Sequence, residues 1–297
     1  MDVLCAVRNQ VGESPLWSVA EQALYWVDIE GRCIHRFASG AVSTWPMAER
    51  IGCIALHARG GLVAAMETGL FRVVLGADGS VAMSLLRPAP YNRADMRFND
   101  GRTDRRGRMW VTSMVRNMSL ADPSGALYCC APGRELESRV GGLVTGNGLA
   151  FSPDGHTLYL SDSHPSVQKV WAFAVDSAGQ LSNRRVFVDM QQYGGRPDGA
   201  AVDEEGHYWI CANDAGAVHR FTPDGRLDRT LRVPVAKPSM CAFGGAGLDQ
   251  LFITSIQPAV PIEGYAPLLA GAVFVTHPGV RGIAEVPFSA DRSPQNH

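Results

Sequence analysis

An internal repeat constrains the fold of this chain more than any other feature. Each copy contains a short apolar stretch, a polar turn that often includes Asp and Gly, and then an aromatic or β-branched strand. This second strand begins, in successive copies, at Leu24, Leu62, Met109, Leu158, Tyr208 and Leu251. The spacings of 38 to 50 residues fit the blades of β-propellers, which contain about 40–50 residues each.

The interior of each copy also indicates antiparallel β-structure. Turns such as PDGH at 153–156 and EEGH at 204–207 separate the first two strands, and a third strand usually follows a glycine. No stretch has a sustained helical period. A β-sandwich is the alternative, but it does not explain six evenly spaced units, and closure into a ring hides the strand edges.

We therefore predict an all-β protein with a single domain over residues 1–297. Its fold is a six-bladed β-propeller with four-stranded antiparallel blades around a central channel. The short N-terminal segment from Val3 to Val7 is expected to complete the last blade and close the ring.

Charge and hydropathy narrow the classes of partner. The chain has 27 Lys and Arg against 29 Asp and Glu, and this balance gives no reason to expect nucleic acid or an anionic membrane as a partner. The apolar run at 266–275 is about half a membrane span. We expect a small-molecule partner and a monomer or weak homo-oligomer.

The cysteines and the N-terminal sequence bear on the compartment. The seven cysteines are scattered and form no CxxC pair, so a disulfide framework or a cysteine-ligated zinc site is not expected. The N-terminal residues show neither the basic region nor the long apolar region of a signal peptide. Both observations favour a cytoplasmic protein.

Alignment of the repeats points to a functional site. The first strand of each propeller blade lines the channel, so residues at equivalent positions of these strands converge on one axis. The position 10–11 residues before each second strand carries an oxygen-bearing side chain in four copies: Glu13, Asn99, Asn147 and Asp198. In the other two copies it carries an apolar side chain, Ile51 or Met240.

Carboxylates that converge at a dry channel mouth repel one another unless a cation or protons lie between them. Glu, Asp and Asn oxygens suit hard cations such as Ca²⁺, Mg²⁺ or Mn²⁺. Taken singly, each Asn-Gly or Asp-Gly is also typical of a turn, but the shared repeat position favours a metal site. Three or four protein ligands would leave positions open for water and substrate.

Arginines occur at two places of interest. Arg97 precedes Asn99 by two residues, where it could bind a hydroxyl-rich or anionic substrate or form a surface salt bridge. A basic cluster, Arg102, Arg105, Arg106 and Arg108, falls in a hairpin turn, and we interpret it as a solvated tip.

Several motifs together resemble the senescence-marker-protein/gluconolactonase family, to which regucalcin-like proteins belong. They are GESPLW at 12–17, RFNDG at 97–101, NGLAFSPDG at 147–155, PDGAAVDEEG at 197–206 and FGG at 243–245. They follow the family's order over nearly the whole chain.

The resemblance implies a six-bladed propeller with one divalent cation (Ca, Zn, Mg, Mn or Fe) that hydrolyses a sugar-acid lactone. By resemblance, Glu13, Asn147 and Asp198 are the metal ligands, and Asp198 is also the general base. Arg97 and Asn99 match the substrate-contacting pair. Where regucalcin-like members carry a substrate-contacting Glu, this chain reads MVRN, so we assign Asn117 as a substrate-binding candidate.

Two other functions remain open on the same scaffold. One is a metal-dependent esterase or phosphotriesterase. The other is a non-catalytic calcium-binding regulatory protein, because a propeller fold does not fix a function. The absence of a GxSxG motif weakens a serine-hydrolase interpretation, and the histidines show no HExxH spacing.

Overall fold

The computed structural model describes residues 1–5 and 7–289, and these form six four-stranded antiparallel sheets. Within those residues there is no α-helix, only three single-turn 3₁₀ helices at Met118–Leu120, Met190–Gln192 and Pro267–Leu269. The sheets follow one another as six propeller blades, which confirms the predicted fold. No helix in the described part of the chain has the length and apolar character needed to cross a membrane.

Each blade runs from an inner strand at the channel to an outer strand. Blade 1 contains Gly12–Ser18, Ala23–Asp28, Cys33–Ala38 and Ala41–Pro46, and blade 2 contains Ile51–Leu56, Leu62–Met66, Gly69–Leu75 and Val81–Pro88. Blade 3 contains Met96–Thr103, Met109–Val115, Gly125–Cys130 and Leu136–Leu143, and blade 4 contains Gly146–Phe151, Thr157–Asp162, Lys169–Val175 and Leu181–Asp189. Blade 5 contains Arg196–Val202, Tyr208–Asn213, Ala217–Phe221 and Leu227–Arg232.

The last blade is closed by the N-terminal strand. Blade 6 contains Pro238–Gly244, Gln250–Ser255 and Val273–Thr276, and its outer strand is Asp2–Cys5. Asp2 pairs with Val275 and Val3 with Phe274. This arrangement confirms closure by the N-terminus, although the strand begins one residue before the predicted segment and ends at Cys5; Ala6 lies outside the described residues.

Apolar side chains fill the space between blades. Trp26, Trp110 and Trp209, each from the second strand of its blade, are fully buried. Burial of a large apolar side chain contributes up to about 3 kcal/mol, so these residues hold neighbouring blades together rather than presenting a surface for a ligand.

The face of the ring opposite the inner-strand starts is covered by the C-terminal segment at 277–289. Its backbone forms hydrogen bonds with several blades. The Gly282 amide donates to the Leu248 carbonyl, and the Phe288 amide donates to the Leu56 carbonyl. Glu285 forms an ion pair of 3.3 Å with Arg102. The interpretation of the arginine cluster as a solvated tip is therefore wrong for Arg102, and also for Arg108, which is buried.

Candidate metal and substrate site at the channel mouth

A β-bulge interrupts the inner strand of every blade at the predicted site position. The register against the second strand shifts between Glu13 and Leu16 in blade 1, and between Asn147 and Ala150 in blade 4. Corresponding shifts occur in the other four blades. Bulges bend a strand and redirect its side chains, and here they turn one residue per blade toward the channel axis.

The bulge in blade 4 requires glycine directly after Asn147. Gly148 has a φ of +61°, and a Cβ added there would lie 2.6 Å from both the Ser161 hydroxyl and the Tyr208 hydroxyl. Blade 1 places Ser14 in the same left-handed region, with a φ of 51°. Its hydroxyl accepts a 2.9 Å hydrogen bond from the Ile54 amide of blade 2, which ties this strained position to its neighbour.

Hydrogen bonds join three of the predicted site residues. The Asn99 side-chain amide donates to the Asn147 Oδ1 at 3.1 Å and to the Gly146 carbonyl at 2.9 Å. Arg97 donates through Nη1 to the Asn99 Oδ1 at 2.7 Å. These bonds link blades 3 and 4 and leave the other lone pair of the Asn147 Oδ1 available to a further partner.

Electrostatics places Glu13 and Asp198 in the same neighbourhood. Burial raises the pKa of Glu13 well above its ordinary value, and the nearby carboxylates of Asp198 and Asp100 raise it further. Burial also raises the pKa of Asp198 to about 7, against the lowering effect of its hydrogen bond from Asn213. Blades 1 and 5 are not neighbours, so an effect of the Asp198 charge on Glu13 agrees with both side chains facing the channel.

Two residues that sequence reasoning missed orient the predicted ligands. Asn213 donates from Nδ2 to the Asp198 Oδ2 at 2.6 Å, and the Asn147 side-chain amide donates to the Ser163 Oγ at 2.6 Å. Asn213 and Ser163 are both the sixth residue of the second-strand motif, in YWICAN and LYLSDS. Comparing that column of the repeat for polar residues would have found them.

Arg97 is a cation without a carboxylate partner among the described residues. Its Nη1 donates to the Phe98 carbonyl at 2.9 Å as well as to Asn99, and no ion pair involves it in the described part of the chain. Burial lowers the pKa of Arg97. The remaining guanidinium donors are available to a ligand with oxygen acceptors.

Asn117 lies on a loop of the same face but is exposed. Its Oδ1 accepts bonds from the Ser119 amide at 3.2 Å and the Ser119 hydroxyl at 2.7 Å, and so caps a 3₁₀ turn. The neighbouring Arg116 pairs with Glu67 at 3.2 Å. The loop thus uses the amide oxygen of Asn117 to hold its own conformation, and its assignment to substrate binding stays a prediction.

The donor set at the mouth fits a hard divalent cation. Glu13, Asn147 and Asp198 offer only oxygen atoms, and no cationic side chain pairs with either carboxylate among the described residues. Away from the mouth, Asp203, Glu205 and His207 have their ligand atoms within 4.8 Å of one another. There, however, Arg220 lies 2.7 Å from Asp203 and 2.6 Å from Glu205, so a guanidinium already compensates the carboxylates.

The chain is similar in sequence and structure to proteins named as lactonases and regucalcins. It is 37% identical to a 6-deoxy-6-sulfogluconolactonase of Pseudomonas putida, an alignment that covers 96% of this chain and 98% of that protein. It is 31% identical to the regucalcin of Gallus gallus over 95% of this chain and 96% of that one. A solved structure of a calcium-binding protein, regucalcin, from Agrobacterium tumefaciens superposes with a TM-score of 0.87 at 26% identity, covering 96% of each chain.

Residues 11–257 match the family described as the SMP-30/Gluconolactonase/LRE-like region. This range contains every predicted site residue and all six inner strands. The six-bladed ring, the oxygen-bearing side chains at its mouth and the sequence match agree with one another. The chain belongs to the SMP-30/gluconolactonase/LRE-like family.

Proposed function

We propose that this protein is a divalent-cation-dependent lactonase that opens a sugar-acid lactone to the free acid. The observation that carries the proposal is the channel mouth. There, the half-buried carboxylate of Glu13 and the buried carboxylate of Asp198 have raised pKa values and no cationic partner among the described residues. The guanidinium of Arg97, which has no carboxylate partner among them, lies nearby. The relatives named as lactonases support the reaction class.

Glu13, Asn147 and Asp198 would hold the cation, which could be Ca, Zn, Mg, Mn or Fe. When bound, such a cation supplies Lewis-acid stabilisation of the negative charge that develops on a carbonyl oxygen. Asn213 and Ser163 hold Asp198 and Asn147 in place through their 2.6 Å hydrogen bonds, as outer partners of metal ligands commonly do.

The remaining steps belong to the side chains of this chain. Arg97 donates hydrogen bonds to the sugar hydroxyls, and the second lone pair of the Asn99 Oδ1 accepts one, so the two residues fix the ester relative to Asp198. Asp198 accepts the proton of the attacking water and returns it to the ring oxygen as the acyl C–O bond breaks, and a pKa near the working pH suits this general base and acid. We expect Asn117, which is exposed on its loop, to contact only a substrate that extends beyond the mouth.

The wider assignments follow from the same reasoning. We propose that the protein acts on a small molecule as a monomer or weak homo-oligomer in the cytoplasm, without nucleic acid or membrane as a partner. An esterase, a phosphotriesterase or a non-catalytic calcium-binding regulator are the other uses of this site, and the experiment below separates them.

The test is a panel of aldonolactones, aryl esters and phosphotriesters, assayed on metal-stripped protein with each divalent ion restored. We expect turnover of aldonolactones that depends on the added ion. Preferred turnover of aryl esters or phosphotriesters would replace the lactonase proposal, and ion binding without any turnover would favour the regulator.

Two variants locate the activity within the site. Asp198→Ala removes a ligand and the base together, so we expect loss of both cation binding and turnover. Arg97→Ala should retain the cation and weaken substrate use. Full turnover and cation binding in Asp198→Ala would contradict the site assignment.

A further inference from the structure

The two sides of the channel mouth differ in charge. Between blades 1 and 3, three arginines pair with four carboxylates: Arg50 with Glu30 and Glu67, Arg116 with Glu67, and Arg93 with Asp95 and Asp122. Arg50 and Arg116 balance Glu30 and Glu67, so the one net negative charge of this negative network comes from Asp95 and Asp122 around Arg93. Between blades 5 and 6, Arg196 and Lys237 share the single carboxylate of Asp214, so this network carries one net positive charge.

The positive network is connected to the predicted base by continuous contacts. Arg196 lies 2.6 Å from Asp214 through Nε, and its Nη2 donates to the Asn213 Oδ1 at 3.4 Å. Asn213 in turn donates to Asp198. Lys237 contacts the other oxygen of Asp214. The cationic pair therefore adjoins the site rather than belonging to a distant surface.

The repeat places two guanidiniums symmetrically about blade 4. Arg97 precedes Asn99 by two residues, and Arg196 precedes Asp198 by two residues, at equivalent positions of blades 3 and 5. Arg97 has no carboxylate partner among the described residues, whereas Arg196 and Lys237 share one carboxylate, that of Asp214. With a divalent cation balancing Glu13 and Asp198, this part of the mouth has an excess of positive charge.

We propose that the lactone substrate carries an anionic substituent, a sulfonate or a phosphate, remote from its ester, and that Lys237 with Arg196 binds it. The inference rests on the proposed lactonase function and refines its substrate class. Oxyanions accept charge-assisted hydrogen bonds from both side chains. The negative network on the opposite side of the mouth repels the same group, which fixes the direction in which the substrate lies.

The name of the Pseudomonas putida relative describes a sugar lactone with a sulfonate at carbon 6. That relative supports the chemistry of the proposal without deciding between sulfonate and phosphate here. A neutral aldonolactone would leave Lys237 and Arg196 with only the shared carboxylate, and would gain nothing from them in the transition state.

The test compares binding of open-chain acids by calorimetry on the cation-loaded protein. The ligands are gluconate, 6-phosphogluconate and 6-deoxy-6-sulfogluconate, and the variants are Lys237→Met and Lys237→Arg. We expect wild type to bind 6-phosphogluconate or 6-deoxy-6-sulfogluconate about tenfold more tightly than gluconate, as a single charge-assisted contact would give. Lys237→Met should lose most of this preference and Lys237→Arg should keep it.

A matched control removes a positive charge from the opposite face. Arg226, whose side chain is 80% exposed and paired with Asp224, is changed to Met, and we expect the preference to persist. Equal affinity of wild type for gluconate and for both 6-substituted acids overturns the proposal. An equal preference for the 6-substituted acids in wild type and Lys237→Met also overturns it. Because binding is measured on the acids, this result stands apart from the turnover of lactones that tests the proposed function.

Discussion

Buried carboxylates occur at both ends of the inner strands, but the two ends differ in whether a cationic side chain pairs with them. On the face covered by the C-terminal segment, Asp203 accepts bonds from the Trp209 indole and the Arg220 guanidinium, each at 2.8 Å. Asp104 likewise accepts bonds from Trp110 at 2.8 Å and Arg108 at 2.5 Å. Each of these carboxylates has its compensating cation within the protein.

At the mouth, the equivalent compensation is missing within the described residues. Glu13 and Asp198 have raised pKa values because of burial, and Asp100, which burial affects in the same direction, has one buried oxygen without a hydrogen-bond partner. Burying an unpaired charge is costly. The covered face therefore compensates its acids with arginines, whereas the acids at the mouth have no cationic partner among the described residues.

The largest effect that would sharpen this contrast is on stability at the covered face. Asp104→Asn leaves the guanidinium of Arg108, which is 7% exposed, beside a neutral amide and without another carboxylate partner among the described residues, and we expect a loss of about 3–5 kcal/mol in the free energy of unfolding. Cation binding at the mouth should be unchanged. Urea denaturation and a cation titration measure the two quantities.

A matched exposed pair serves as the control for that measurement. Asp224 pairs with Arg226 at 2.8 Å, but both side chains are more than half exposed. Asp224→Asn should cost less than about 1 kcal/mol, as exposed ion pairs do. A loss of cation binding in Asp104→Asn would show that the two ends are not independent.

A second effect concerns the pH dependence of the cation-free protein. The folded-state pKa of Asp198, raised from 3.8 to about 7, means that the folded protein holds a proton that the unfolded chain releases. The stabilisation from this proton is present at low pH and is lost as the pH rises toward 7. From pH 5 to 7.5, Asp198→Asn should therefore gain on the order of 3 kcal/mol in stability relative to wild type.

The stability of Asp198→Asn must be compared with that of wild type at each pH, because buried histidines change the stability with pH in the opposite direction. Burial lowers the pKa of His35 to about 4, so this residue favours folding as the pH rises, and it does so equally in both proteins. Urea denaturation at several pH values, without divalent cations, measures the difference. A constant difference across this range would mean that Asp198 is ionised without a partner.

The smallest expected effect tests the orienting residues. Asn213→Ala removes the 2.6 Å bond to Asp198, and we expect cation affinity to fall by about 10- to 100-fold, as loss of an outer partner usually causes. Isothermal titration measures the affinity, with Asn92→Ala, a change at an exposed site on the same face, as the control. Unchanged affinity in Asn213→Ala would leave the hydrogen bond without a role in binding.

The sequence predicted the ring and the converging positions because both follow from the repeat. Spacing identifies six blades, and alignment of equivalent positions identifies Glu13, Asn99, Asn147 and Asp198. The orienting roles of Asn213 and Ser163 were missed because only the inner-strand column was compared. The buried roles of Arg102 and Arg108 were missed because a basic hairpin turn has the same appearance whether or not another segment covers it.

The capping role of Asn117 depends on local loop geometry, which the repeat does not specify. The loop after the second strand of blade 3 has no counterpart of equal length in every blade, so alignment could not show where its amide points. Likewise, the sharing of Asp214 by Arg196 and Lys237 joins residues of two blades that are 41 positions apart in sequence, a contact that only the folded ring reveals.

The most direct test of the central claim is the position of a bound divalent cation. Crystals grown with Mn²⁺ would show it by anomalous scattering, independently of any substrate. We expect a single strong anomalous peak among the oxygens of Glu13, Asn147 and Asp198. A peak at Asp203, Glu205 and His207 with none at the mouth would contradict it.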